Sequence, residues 1–392
     1  MPYVRQKGKG WQYTVNVGID PATGARIQKS KGGFKSDKLA YKAGVLLEEE
    51  IANGLYTSDK GMTFEELKDE WFEMYRTSGK VKISSVRIRE YESNKLLPFF
   101  AKLKVKDITK KMYQSAINKL HEEGLAHITL SGIQSTGKMI FKRAMEKDII
   151  KVDPTQYSYI PKTQKSVEEI EAEEEAVKYL EKEELALLLK TAATKGGPQD
   201  YVIFMLLSYT GMRLGELIAL KWRDVDLEDG VISITKTCYN PKGKIKDYKL
   251  IPPKTMKSKR KIEIDLFVVQ ELKNHMHWQK EIKMANRKRY HDEGFVIART
   301  DAEFAGYPEI AKAIQVKMRR FMKSAGLNPS LTPHSLRHTH TSLLAEARVD
   351  LQEIMDRLGH KDDNTTRNVY LHVTKTKKKE AAQKFSDLMN EI

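Results

Sequence analysis

Apolar positions change period several times along this chain, and each change marks a new structural unit. Trp11, Tyr13, Val15, Val17 and Ile19 alternate with polar residues, the two-residue period of a half-buried strand. The turn Asp20-Pro-Ala-Thr-Gly24 follows, and Arg26 to Lys31 reads as the returning strand. Ser36 is placed to cap a helix carrying Leu39, Ala43, Leu46 and Leu47. The pattern predicts a small sheet with one helix ending near Gly54, and a first domain over residues 1–57.

From Thr63 the period lengthens to that of a helix. Thr63 and Glu66 have capping-box spacing ahead of Phe64, Leu67, Trp71 and Tyr75. Further helical patterns run over 86–97, 109–121 and 130–146, with Met139 and Phe141 at core positions. They predict a four- or five-helix domain over 61–160, closing near Asp153-Pro154. Pro161 to Val167 and the acidic run Glu168 to Glu175 predict an extended linker over 161–178, because like charges repel.

Beyond Tyr179, Leu180, Leu185, Leu188 and Leu189 restore the helical period until Gly196-Gly-Pro198 breaks it. The apolar run Tyr201 to Leu220 contains Arg213 and Glu216, which a membrane centre tolerates poorly, so it predicts a buried helix. Residues 231–235, 248–251 and 261–264 have strand character and are expected to form one small antiparallel sheet. Helices dominate the rest of a third unit over 179–392. Its tail, 374–392, carries Ala381, Ala382, Phe385 and Leu388 at helical spacing. The expected fold class is multidomain, mainly α with small β-sheets.

Composition narrows the partner. The 392 residues hold 69 Lys+Arg against 53 Asp+Glu, a formal charge of +16. Such a field favours a polyanion, nucleic acid before an anionic membrane surface. Residues 1–42 alone carry nine Lys/Arg against Asp20 and Asp37, as suits a basic sheet face entering a DNA groove. The hydrophobic fraction of 40% argues against a disordered chain. Cys238 is the single cysteine, which rules out an intrachain disulfide framework. No signal-peptide core follows Met1, so the bacterial cytoplasm is the expected compartment.

Candidate chemistry concentrates between Thr332 and His372. Thr332 is a suitable N-cap and Pro333 a suitable first helical residue, so a helix is expected to start there. His334 and Arg337 then lie three apart on one face at the positive end of the helix dipole, a site suited to an anion. Upstream, Thr210-Gly-Met-Arg213-Leu-Gly-Glu216 sets an Arg beside an acid. The two form either a plain buried ion pair or a guanidinium oriented by Glu216 to take a phosphate. His338 and His340 are expected to pack or cap. His334 and His338 have a spacing also used for zinc, but no Glu or Cys stands where a metalloenzyme needs it.

In their order and spacing, Thr210-Gly-Met-Arg213-Leu-Gly-Glu216-Leu, His334-Ser-Leu-Arg337-His, Leu358-Gly-His360 and Tyr370-Leu-His372 resemble the tyrosine recombinases. Within that family the chain resembles the integrases of temperate phages and integrative elements. The three-part layout matches too, so the resemblance spans essentially the whole chain.

The resemblance implies an N-terminal arm-binding domain, a helical core-binding domain and a mixed, mainly α catalytic domain. It implies Tyr370 as a nucleophile forming a 3′-phosphotyrosine, with Arg213 and Arg337 on the non-bridging oxygens. His334 and His360 would hydrogen-bond the phosphate, His334 being the better placed to assist proton transfer from Tyr370. A free Tyr has a pKa of about 10, so such help is needed at neutral pH. A sheet Lys would protonate the leaving 5′-oxygen. Lys254 matches best, with Lys257 and Lys259 close by. No metal or cofactor is implied, because the phosphotyrosine conserves the bond energy. The implied partners are double-stranded DNA at core and arm attachment sites, three further copies in a homotetramer, an excisionase and a host DNA-bending protein. The family's tail commonly docks on a neighbouring subunit. Rival readings are a catalytically silent DNA-binding regulator, a recombinase resolving chromosome dimers, and a monomeric topoisomerase. The full residue set disfavours the first, and the basic N-terminal unit the other two.

Overall fold

The alternating N-terminal segment forms a ten-residue strand, β2 (Gly10–Ile19), in the computed structural model. The structure describes residues 1–19, 24–52, 61–79, 81–162, 179–253, 259–359, 366–367, 369–371 and 389. Strands β1 (Tyr3–Lys7) and β3 (Arg26–Phe34) flank β2 in an antiparallel sheet of order β1-β2-β3. Helix α1 (Asp37–Ala52) covers Tyr13 and Val15. It buries Ala40, Gly44 and Leu47, whereas Leu39 and Leu46, expected in the apolar stripe, are exposed. Close approach explains the difference: a Cβ on Gly44 would lie 2.5 Å from Pro2 Cβ and 3.4 Å from Tyr13 Cβ. The helix seats on Ala40, Gly44 and Leu47 instead of Leu39 and Leu46. Register puts Thr14 opposite Ser30 and Asn16 opposite Gln28 on the sheet face away from α1. That face is thus polar, while Lys29 and Lys31 stand beside Val15 and Tyr13.

The helical segment contains α2 (Phe64–Thr77), α3 (Ile83–Asn94), a single turn α4 (Leu97–Phe100), α5 (Lys110–Glu122) and α6 (His127–Glu146). The capping box is formed: the Glu66 N–H donates to Thr63 Oγ1 at 3.3 Å, and the Thr63 N–H to Glu66 Oε2 at 2.8 Å. Phe64, Leu67, Phe100, Tyr113 and Phe141 fill the core. Chain contacts group residues 1–164 into one unit and 165–392 into a second.

In the second unit, α7 (Lys182–Lys195) packs on α8 (Pro198–Thr210), whose faces are buried nearly all round, as a continuous apolar run requires. The run expected as one helix is two, because Gly211 turns the chain before α9 (Leu214–Ala219). The expected single sheet is two. Strands β4 (Val225–Asp226), β5 (Val231–Ile234) and β8 (Arg260–Glu263) pair in that order, and β6 (Thr237–Tyr239) pairs separately with β7 (Lys249–Ile251). β6 packs on α9, where a Cβ on Gly215 would lie 2.5 Å from Thr237 Oγ1. Helices α10 (Leu266–Ala285), α11 (Ala311–Ser324), α12 (Ser335–Glu346) and α13 (Leu351–Leu358) complete the described elements. No described helix is long and apolar enough to cross a membrane.

Candidate active site

The site is built where α8 ends. Gly211 has φ +61°, the left-handed region that favours glycine, and a Cβ there would lie 2.6 Å from Leu358 Cδ2 and 2.7 Å from His340 Cδ2. Two residues on, the Arg213 N–H donates to Glu216 Oε2 and its Nη1 to Glu216 Oε1, both at 3.0 Å. The Glu216 side chain is 4% exposed and that of Arg213 38%. The carboxylate is therefore interior, and the guanidinium it holds keeps an outward side.

Glu216 also holds a second guanidinium. Arg260, the first residue of β8, donates from Nη2 to Oε2 at 2.8 Å and from Nη1 to Oε1 at 3.3 Å. Burial works to raise the Glu216 carboxyl pKa, but the hydrogen bond and charge of Arg260, then those of Arg213, outweigh it and hold it below the usual range. Glu216 is thus ionised.

Arg337, 2% exposed, donates from Nη1 to the Gly211 carbonyl and from Nη2 to the Leu358 carbonyl, each at 2.6 Å. It ties the turn carrying Arg213 to the end of α13. Helix α12 starts at Ser335 instead of Pro333: the Ser335 N–H donates to the Thr332 carbonyl, and the Thr332 N–H to Ser335 Oγ, which makes residues 333–334 a turn. His334 becomes the N-cap residue and is exposed, its ring edge-on to His338 at 4.9 Å.

His340 packs, as expected, and does more. Its Nδ1 lies 2.8 Å from the Ser208 carbonyl, and Arg357 Nε donates to its Nε2 at 3.2 Å. Burial, followed by the Arg357 charge, pushes its imidazole pKa down to about 3. The neutral ring must then carry its proton on Nδ1 and donate it to Ser208. Arg357 Nη2 donates in turn to the Glu263 carbonyl at 2.9 Å and the Tyr209 carbonyl at 3.3 Å.

Helix α13 stops at Gly359, φ +70°, where a Cβ would lie 3.1 Å from Arg260 Cδ. Leu358, Ala345 and Ile354 form a small cluster against which Tyr370 packs, half-buried. The structure thus connects Arg213, Arg337 and Tyr370 through Gly211 and Leu358. His334 stands on the turn just ahead of Arg337's helix. Lys254, Lys257 and His360, and the expected tail helix with Ala381, Ala382, Phe385 and Leu388, lie outside the described residues. Lys259 is exposed.

Arg260 and Arg357, which contact Glu216 and His340, are not singled out by the sequence pattern. An Arg opening a short strand, or on the polar side of an amphipathic helix, reads as solvated. The one available signal was that a buried Glu216 could engage more than one cation.

Each unit of the chain resembles known proteins. Residues 178–377 match the phage integrase family, residues 63–121 the phage integrase N-terminal SAM-like domain, and residues 3–51 an arm DNA-binding domain. The chain is 30% identical over 364 residues to the integrase of Staphylococcus phage L54a, spanning 88% of this chain and 98% of that one. It is 26% identical over 387 residues to the ICEBs1 integrase of Bacillus subtilis (strain 168), spanning 97% of each. Among solved structures it is similar in fold to the Tn1549 transposon integrase in complex with transposon right end DNA. The TM-score is 0.64 at 22% identity, over 83% of this chain and all of that one. A lambda integrase tetramer bound to a Holliday junction aligns with TM-score 0.55 at 18% identity, over 93% and 94% of the two chains.

Proposed function

The chain belongs to the phage integrase family, and from that membership we propose that Tyr370 is the nucleophile with which it cuts and rejoins DNA. The protein is a tyrosine-type site-specific recombinase of a mobile element. In the proposed step Tyr370 Oη attacks the scissile phosphorus, a phosphotyrosine bond forms on the 3′ side and the bond to the 5′-oxygen breaks. Lys254 protonates that leaving oxygen. Arg213 and Arg337 stabilise the charge that builds on the non-bridging oxygens, while His334 and His360 hydrogen-bond the phosphate, His334 also taking the Tyr370 proton. Rejoining is the reverse attack by a 5′-hydroxyl from another strand. The bond energy stays in the phosphotyrosine, so no nucleotide or metal enters the step.

One observation carries the assignment of residues. Arg337 bridges the Gly211 and Leu358 carbonyls, which sets it between the turn that bears Arg213 and the cluster on which Tyr370 packs. Residues 1–57 would bind accessory arm sites and 61–160 the core site together with the catalytic unit over 179–392, with 161–178 as linker. The charge of +16 and the arm DNA-binding match support double-stranded DNA as the substrate. Four copies would act on two duplexes, with residues 374–392 docking on a neighbour and with an excisionase and a host DNA-bending protein as accessory partners. The site of action would be the bacterial cytoplasm.

A duplex core site nicked next to the cleavage point traps the covalent intermediate, because the short 5′-hydroxyl strand diffuses away. The wild-type protein is expected to form a denaturant-resistant adduct with this DNA, and Tyr370→Phe none. An adduct with Tyr370→Phe, or none with wild type, overturns the proposal.

A further inference from the structure

We infer that Arg260 is a positioning residue for strand cleavage, fixing Glu216, and through it Arg213, in register with the end of α13; the inference rests on the recombinase reading above. Its side chain is 5% exposed, so the scissile phosphate meets Arg213 instead. From that interior position it makes three contacts at once among the described residues. Two nitrogens grip Glu216, Nε donates to the Arg357 carbonyl at 2.8 Å, and Cδ lies under Gly359 where a Cβ would approach to 3.1 Å.

Charge balance alone does not account for it. Arg213 already supplies one positive charge to Glu216, so neutralising that carboxylate does not by itself call for a second cation. Direction accounts for it better. Each Glu216 oxygen accepts one bond from Arg213 and one from Arg260, so the carboxylate cannot rotate without breaking a bond to Arg260. The Arg213 guanidinium is therefore aimed by a group held from behind. The same Arg260 bonds the carbonyl two residues before Gly359, which precedes His360, and it lies six residues after Lys254. The end of α13, just ahead of His360, is thus tied to the same side chain that holds Glu216. Only the planar guanidinium fork reaches carboxylate and carbonyl in different directions; a lysine ammonium presents one nitrogen.

The test uses the full chain with the nicked core-site duplex, at protein concentrations that saturate the DNA. Arg260→Lys keeps the charge and loses the fork; Arg260→Met removes both. Both variants are expected to bind the duplex within about threefold of wild type and to form the covalent adduct about 10²-fold more slowly, the loss typical of a misplaced reacting group. A counter-ion role predicts instead that Arg260→Lys restores the rate. Adduct formation within about threefold of wild type in Arg260→Lys overturns the inference, as does a rate loss in both variants matched by an equal loss of DNA affinity. Failure of the wild type to form any adduct would instead strike the recombinase reading itself.

Discussion

Acid should destabilise the catalytic unit through His340. In an unfolded chain the imidazole titrates near about 6.5. In the fold it sits between the Ser208 carbonyl and the Arg357 guanidinium, with Arg337 also near, and titrates at about 3. Between these values the unfolded chain binds a proton that the native one does not, so stability rises with pH across that window. Equivalently, the contribution is whole above about 6.5 and is lost as pH falls toward about 3. At about 1.36 kcal/mol per unit, going from neutrality to pH ~5 costs about 2 kcal/mol. For a unit of roughly 200 residues that is a fall of about 4–8 °C in melting temperature.

His275 is shifted in the same direction by burial, so the reading needs a variant control. His340→Gln retains an amide to donate to Ser208 and an oxygen to accept from Arg357, but it does not titrate. Thermal unfolding followed by circular dichroism at pH ~7 and pH ~5 gives a shift for each protein. The wild-type shift should exceed the variant's by about 4–8 °C, whatever the variant's stability at neutral pH. Equal shifts would show that His340 takes up a proton as readily in the native state as in the unfolded chain and refute the neutral ring whose Nε2 accepts from Arg357.

Two substitutions test the frame around the site. Gly211→Ala places a side chain in left-handed backbone, about 1–2 kcal/mol, and against Leu358 and His340, about 1–3 kcal/mol more. Denaturant unfolding should register the sum, and adduct formation should fall further than DNA affinity because Arg337 holds that carbonyl; a fully stable, active variant would refute the packing argument. Thr63→Ala removes one half of the capping box and should lower the stability of the helical core by about 1 kcal/mol in the same measurement, an unchanged midpoint counting against the cap.

Local patterns were legible where one neighbour decides the outcome. The β2 alternation, the Thr63 cap and the apolar α8 each depend on a period or a single hydrogen bond, and all three form as expected. Expectations failed where a distant element intervened. Leu39 and Leu46 were assigned to a core that Gly44 claims by letting α1 approach Pro2 and Tyr13. The helix at Pro333 was expected from cap chemistry, yet the Ser335 hydroxyl competes for the Thr332 N–H and moves the start. Arg260 and Arg357 have no local signature, because the Glu216 carboxylate and the backbone carbonyls they bond are far away in sequence.

Those carbonyls explain why the site is so rich in arginine. A helix leaves its last carbonyls without intrahelical partners and carries negative potential at that end. Two helices, α8 and α13, end at this site. From α8, the Ser208 carbonyl accepts from His340, Tyr209 from Arg357, and the Gly211 carbonyl just beyond it from Arg337. From α13, Arg357 accepts from Arg260 and Leu358 from Arg337. Buried guanidiniums are tolerable here because carbonyl dipoles solvate them, with Glu216 the one carboxylate these contacts include. Capping two helix ends with arginines consumes donors but cancels little formal charge. Arg213 keeps its outward side because Glu216 holds it from within, and in the proposed step a phosphodiester meets that side in a frame set by the packing of α8 against α12.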